Sequence, residues 1–241
     1  MVSTAKTELL DGIAEHYDPT DAATEFDYWL KRLQAEAVEP WVRGAAALEL
    51  GCATGELTAL LAPRCATYDV VEGSARNIAA ARQRVPGALY HHSLWEDFVP
   101  DGRYSDVIAF NALEHVEDPV GLLRSAGAWL EPGGRIHVAV PNALSLHRLI
   151  GVEMGLQPDP VSLTEADRAQ GHHRNYTIDA LLADLRAAGL HVLHWEGVFL
   201  KLLPNRQMVG WDPALITAIG RVGRRFGAHG ASLLAIASAA G

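Results

Sequence analysis

The chain reads as an α/β fold on a mostly parallel sheet, and three features point to it. Apolar runs of strand length alternate with amphipathic runs of helix length from Ala46 to Val140. The first apolar run ends in the small-residue turn Gly51-Cys52-Ala53-Thr54-Gly55, where a backbone must come close to something bulky. Helix-length runs open on residues that cap N-termini: Asp118 before Pro119, Thr177 before Ile178 and Asp212 before Pro213.

In chain order, residues 6–16 and 20–37 carry apolar residues at helical spacing, with Asp18-Pro19 as the break between two helices. Ala46–Leu50 is the first strand and Gly55–Ala62 the helix after it. Ala66–Glu72, Ala88–His92 and Ser105–Phe110 are the next strands, with a helix at Ala75–Arg84. Pro119–Leu130 is a helix, Pro132-Gly133-Gly134 a tight turn, and Arg135–Val140 the fifth strand. Such alternation implies right-handed crossovers. Pro141–Tyr176 is polar, without a strong period, and is expected to be a lid or a substrate-binding insertion. Order resumes with a helix at Ile178–Ala188, closed by Gly189, and a strand at His191–Leu200. A helix from Pro213 to about Phe226 and a strand at Gly230–Ala237 complete the chain. No internal repeat or low-complexity linker divides it. One domain spanning 1–241 is expected, with 1–40 as a helical cap and 141–176 and 201–228 lining an acceptor pocket.

Composition excludes several classes. The 241 residues are 49% hydrophobic, enough for a substantial core. The net charge is −9 without a Lys/Arg block, which argues against bare nucleic acid as a partner. Cys52 and Cys65 form no metal-ligand or disulfide framework. No apolar run reaches membrane-spanning length, and Met1–Leu10 lacks the layout of a signal peptide, so a cytoplasmic protein is expected.

Ligands of parallel sheets bind at the carboxyl ends of the strands. Gly51, Ala53 and Gly55 follow the first strand, and Glu49 lies just ahead. Glu72, 23 positions after Glu49, ends the second strand, where an acid can accept both ribose hydroxyls; its alternative role is to cap the helix at Ala75. A dinucleotide loop fails on spacing, since the position five after Gly51 is Glu56, an anion where a phosphate would lie. Phosphate-binding Gly-Lys-Ser/Thr, Gly-x-Ser-x-Gly and His-Glu-x-x-His motifs are absent from the sequence.

Glu49-Leu50-Gly51-Cys52-Ala53-Thr54-Gly55, Asn111-Ala112-Leu113-Glu114-His115-Val116-Glu117-Asp118-Pro119 and Pro132-Gly133-Gly134 together resemble the class I S-adenosylmethionine (SAM)-dependent methyltransferases, small-molecule branch. The likeness runs from about Leu48 to Val140 and more weakly through Leu200, with Ala53 replacing the usual middle glycine. It implies a Rossmann-like, seven-stranded, mostly parallel sheet with helices on both faces and a final antiparallel strand. It also implies SAM as methyl donor and S-adenosyl-L-homocysteine (SAH) as product. Gly51, Ala53 and Gly55 would pass under the methionine and ribose, Glu72 would hold the ribose, and Leu94 and its neighbours would touch adenine. Glu49, Gly73, Ser74, Ser93, Asn111 and Leu113 complete the expected cofactor contacts.

On the acceptor side, His115 either takes a proton from the acceptor or bonds loop backbone. Gly171-His172-His173-Arg174-Asn175-Tyr176 resembles a segment of this branch whose His172 and Arg174 face the active site. His172 joins His115 as a catalytic candidate. Tyr17 (also a cofactor candidate), Asn142, His147, His172 and Arg174 are the substrate-binding candidates. No metal is expected. The reading is methyl transfer to an oxygen or nitrogen of a small molecule in specialised-metabolite biosynthesis, and an acidic chain suits a neutral or cationic acceptor. N-methylation of a peptide or protein amine, or a non-catalytic SAM-binding module, are the alternatives. Oligomeric state is left open.

Overall fold

The buried runs expected from the sequence assemble into one seven-stranded sheet in a computed structural model, which describes residues 7, 10–12, 14–15 and 25–239. The strands are β1 (Ala46–Leu50), β2 (Thr67–Glu72), β3 (Leu89–His92), β4 (Tyr104–Phe110), β5 (Leu130–Pro141), β6 (Leu190–Val198) and β7 (Ser232–Ala239). Their spatial order is β3-β2-β1-β4-β5-β7-β6. Every pairing is parallel except those of β7, which runs antiparallel to both β5 and β6. All seven residues of β4 are buried, as expected of a strand covered on both faces.

Helices α1 (Asp27–Val38), α2 (Glu56–Leu61), α3 (Ala75–Arg84), α4 (Pro119–Ala128), α5 (Leu146–Glu153), α6 (Glu165–Ala169), α7 (Ile178–Ala187), α8 (Asn205–Met208) and α9 (Pro213–Gly223) surround it. Leu33, Leu57, Ile78 and Ile216 carry α1, α2, α3 and α9 onto one face. Leu123 and Leu185 carry α4 and α7 onto the other. The expected caps form: Asp118, Thr177 and Asp212 accept from the amides of Gly121, Ala180 and Ala214. Gln34 Nε2 donates to Ser232 Oγ at 3.0 Å, tying α1 to β7.

Several boundaries differ from expectation. The turn at Pro132–Gly134 lies inside β5, where the register against β4 shifts between the Tyr104 and Asp106 pairings and Gly133 adopts φ +78°. β6 ends at Val198 because Phe199 turns to φ +61°. α9 stops at Gly223 and continues as a 3₁₀ turn over Arg224–His229. The stretch Pro141–Tyr176, expected to be irregular, holds α5 and α6. The side chain of Thr164 and that of Asp167 form a reciprocal capping box at the start of α6. The helical residues Thr7, Leu10–Gly12 and Ala14 fall in the expected first helix, of which residues 6, 8, 9, 13 and 16 lie outside the described residues, as do residues 20–24 of the second.

Candidate active site

The strand order reverses between β1 and β4, and there the loops leaving the carboxyl ends diverge and open a cavity of about 730 Å³. The β1 loop contributes Gly51 and Ala53, the β2 end Glu72 and Gly73, the β3 loop Leu94 and Trp95, and the β4 loop Asn111, Glu114 and His115. α1 adds Lys31 and Gln34. Residues between β5 and α7, together with Lys201–Asn205, close the far side.

The half nearest β1 and β2 is built from backbone. Gly51 has φ +79°, and a Cβ there would stand 2.8 Å from the Trp95 ring. Only glycine allows both the turn and that contact. Ala53 takes φ +46° without being glycine. Gly55 does not line the cavity. At φ +87° it starts α2, and a Cβ would lie 3.0 Å from Ala81 on α3, so it sets helix packing. The Glu72 carboxylate is 7% exposed and accepts three amides: Cys52 and Ala53 at 3.1 and 3.2 Å on Oε2, and Ser74 at 2.8 Å on Oε1. The Asn77 side chain also acts on it, so much of its acceptor capacity is used within the loop. Burial raises its pKa against those amides.

Glu49 stands elsewhere than expected. It lies under the β1 loop, outside the cavity lining, with Thr58 Oγ1 donating to Oε2 at 2.7 Å and Oε1 left without a bond. Burial pushes its pKa up to about 7. Ser74 is also a local structural residue, capping α3 by accepting from the Asn77 amide. Ser93 bonds the Leu94 carbonyl, Leu113 is core, and neither lines the cavity. Gly73, Leu94 and Asn111 do. Asn111, at φ +54°, donates from Nδ2 to Glu114 Oε1 at 3.2 Å.

The opposite half is built from titratable side chains. Rings of His115 and His172 meet edge to face with centroids 4.8 Å apart. Burial first, then His172, holds the His115 pKa down to about 4, and burial lowers His172 as well, so both imidazoles are neutral at pH 7. Glu114 beside them is 1% exposed, and burial pushes its pKa up to about 7. Its Oε2 and His172 Nδ1 have no hydrogen-bond partner. Ligand atoms of Glu114, His115 and His172 all lie within 4.8 Å of one another, the one grouping among the described residues with the spacing to share a metal ion. No metal site was expected from the sequence, because the grouping joins two loops distant in the chain.

Asn142 lines the cavity with its polar atoms spent: Nδ2 donates to the Ala228 and Gly230 carbonyls, both at 2.8 Å, and Oδ1 accepts from the Leu144 amide. His147 lines it too. Burial first, then Lys201 and Arg148, holds its pKa down to about 3. Arg174 does not reach the cavity. Its guanidinium donates to the carbonyls of Leu113, Val116 and Glu117, and the His173 amide donates to the Glu114 carbonyl at 2.7 Å. These bonds clamp the end of the insertion onto the loop bearing Glu114 and His115. Tyr17 lies outside the described residues.

Trp95 and Glu114 stand in loops the sequence marks, and Lys31 and Lys201 in the stretches 1–40 and 201–228 expected around the pocket, but none of the four is given its own role by the sequence. A lysine on an amphipathic helix or in a polar loop reads as solvent-facing until packing turns it inward. Glu114 carried a signal in its place after β4, beside His115. The residues present fit a nucleoside with a charged tail: a floor without side chains at Gly51, a hydrogen-bonding acid at Glu72, an apolar wall at Leu94 and Trp95, and the Lys31 ammonium acting on Cys52 and Glu114.

Residues 15–195 match the family described as a methyltransferase domain. Trans-aconitate 2-methyltransferase of Variovorax paradoxus (strain S110) is 33% identical over 134 residues, 54% of this chain and about half (52%) of that protein. A ubiquinone biosynthesis O-methyltransferase of Parvibaculum lavamentivorans is 30% identical over 75% of this chain and 72% of its own length. Among solved structures, the N-methyltransferase NodS from Bradyrhizobium japonicum WM9, in complex with SAH, superposes with a TM-score of 0.63 at 14% identity, covering 95% of this chain and 97% of that one. The family match over three quarters of the chain, the sheet order and the cavity at its switch point agree, and the chain belongs to the class I SAM-dependent methyltransferases.

Proposed function

We propose that this methyltransferase moves a methyl group from SAM to an oxygen of a small molecule in specialised-metabolite biosynthesis. One observation carries the reading: a single cavity joins the Gly51–Glu72 floor to the neutral His115–His172 pair. Oxygen is favoured over nitrogen by the ubiquinone biosynthesis O-methyltransferases among the relatives.

When bound, SAM supplies an electrophilic methyl on a sulfonium, so the protein's task is alignment and proton management. Glu72, Gly73 and Leu94 would hold the ribose and adenine, and Lys31 would face the methionine carboxylate. His115 and His172, neutral at pH 7, would accept the proton lost by an acceptor hydroxyl. Glu114 beside them, more basic than His115, would take that proton on from the imidazole. The insertion 141–176 and Lys201–Asn205 would wall off the acceptor from water.

The test is calorimetric titration with SAH, followed by mass-spectrometric detection of methylated products from a panel of phenols, hydroxy acids and amines. Saturable SAH binding with methylation of a small hydroxyl supports the reading. Failure to bind SAH, or methyl incorporation only into protein amines, rejects it.

A further inference from the structure

The cavity holds a second lysine on the side away from the cofactor floor. Lys201 follows β6 by three residues and is fixed by its carbonyl, which accepts from the His147 amide at 2.9 Å. It lines the cavity, and no hydrogen bond or ion pair is made by its ammonium among the described residues. The charges acting on it are Asp27, Arg148 and Asp167. Asp167 is paired with a cation, whereas Asp27 keeps its charge and has only a neutral donor. Asp27 Oδ1 accepts from Asn205 Nδ2 at 2.7 Å. Asp167 Oδ2 accepts from the Thr164 amide at 2.8 Å and Arg148 at 3.2 Å. Arg148 itself is spent on Asp167 and on the Pro160 and Ser162 carbonyls. His147, the nearest imidazole, is neutral at pH 7.

Asp27 and Asp167 act on the half-buried ammonium from beyond contact, and no carboxylate among the described residues is in ion-pair contact with it, so an anion entering the cavity can make that contact. The methionine carboxylate of the cofactor is one anion in such a site, but position argues against it here. Lys31 is the cation whose charge acts on Cys52, Glu114 and His115, the loops leaving β1 and β4. Lys201 acts on none of these groups. It acts on His147, in the insertion that walls the other half.

We propose that Lys201 is the recognition point for an oxyanion of the methyl acceptor, so that the substrate is an organic acid held by its anion on Lys201 with its methylated oxygen toward His115 and His172. This rests on the methyltransferase reading above. It departs from the expectation drawn from the net charge of −9, because recognition is set by the group the acceptor touches, here a cation in the wall formed with the insertion.

The test uses the full chain loaded with SAH and titrated calorimetrically with matched pairs: 3,4-dihydroxybenzoate against 3,4-dihydroxybenzyl alcohol, 4-hydroxybenzoate against 4-hydroxybenzyl alcohol, and trans-aconitate against its trimethyl ester. At least one acid is expected to bind about tenfold more tightly than its uncharged mate. Lys201→Met should abolish that preference and Lys201→Arg should restore most of it, with SAH affinity in both variants within about twofold of the parent. Three results overturn the proposal: no acid preferred over its mate, a preference that survives in Lys201→Met, or SAH affinity that falls with the lysine, which would assign Lys201 to the cofactor. A parent chain that does not bind SAH would instead reject the methyltransferase reading.

Discussion

The two halves of the cavity are built from different materials. The half nearest β1 and β2 is backbone and one carboxylate, and its hydrogen bonds are largely closed: Glu72 takes three amides and Gly51 lies flat on Trp95. The half facing the insertion is ionisable side chains whose bonds are open: Glu114 Oε2, His172 Nδ1 and the Lys201 ammonium. A ligand shared by a whole family can be met by rigid backbone, whereas a ligand peculiar to one enzyme is met by side chains awaiting their partner.

That contrast can be broken by four measurements. The largest effect is expected on the open half: His115→Ala should lower kcat about 100-fold or more while SAH affinity stays within about threefold. Unaltered turnover would leave alignment alone as the source of catalysis. On the closed half, Glu72→Ala should weaken SAH binding about 10- to 100-fold, since it strips three loop amides of their acceptor as well as the sugar contact. Unchanged calorimetry would remove Glu72 from the binding site.

The third measurement separates structure from site. Glu49 has a pKa of about 7 in the folded chain against an ordinary 4.5. Below pH 4.5 it is protonated folded or unfolded, and it adds nothing to the pH dependence. Between these values only the unfolded chain ionises, so stability falls as pH rises. Glu49→Gln should therefore raise stability near pH 8 by up to about 3 kcal/mol and leave it unchanged near pH 4. Denaturation at the two pH values giving equal differences would sink the assignment. The smallest effect is expected from Gly55→Ala, about 1–2 kcal/mol from its left-handed φ, read as a lowered Tm with SAH affinity retained in the surviving fold.

The closed half was legible in the sequence because strand ends are. Gly51, Ala53, Glu72, Gly73 and Leu94 follow from an apolar run and what succeeds it, and each lines the cavity. Glu49 misled because strand alternation sends its carboxylate under the loop to Thr58, away from the ligand side. The open half was partly legible. His115, His147 and His172 were marked by their chemistry, but Asn142 and Arg174 spend their donors on carbonyls, a use that residue type does not announce. α5 and α6 went unseen between turn-like residues, although Thr164 and Asp167 carried the capping signal. Lys31 and Lys201 lie in the stretches 1–40 and 201–228 expected around the pocket, but their residue type does not say that they face inward, because only the fold turns them.

The clamp of His173 and Arg174 on the loop of Glu114 and His115 has a practical consequence for anyone wishing to retarget this enzyme. On the proposed reading the stretch from α5 through α6 is the natural cassette to exchange, but its end is also bonded to the loop that carries Glu114 and His115. Grafts that retain the His173 and Arg174 anchorage can vary acceptor choice as a separate module. Grafts that cut through it trade new selectivity for lost rate, and a library drawn without that distinction would report the two as one property.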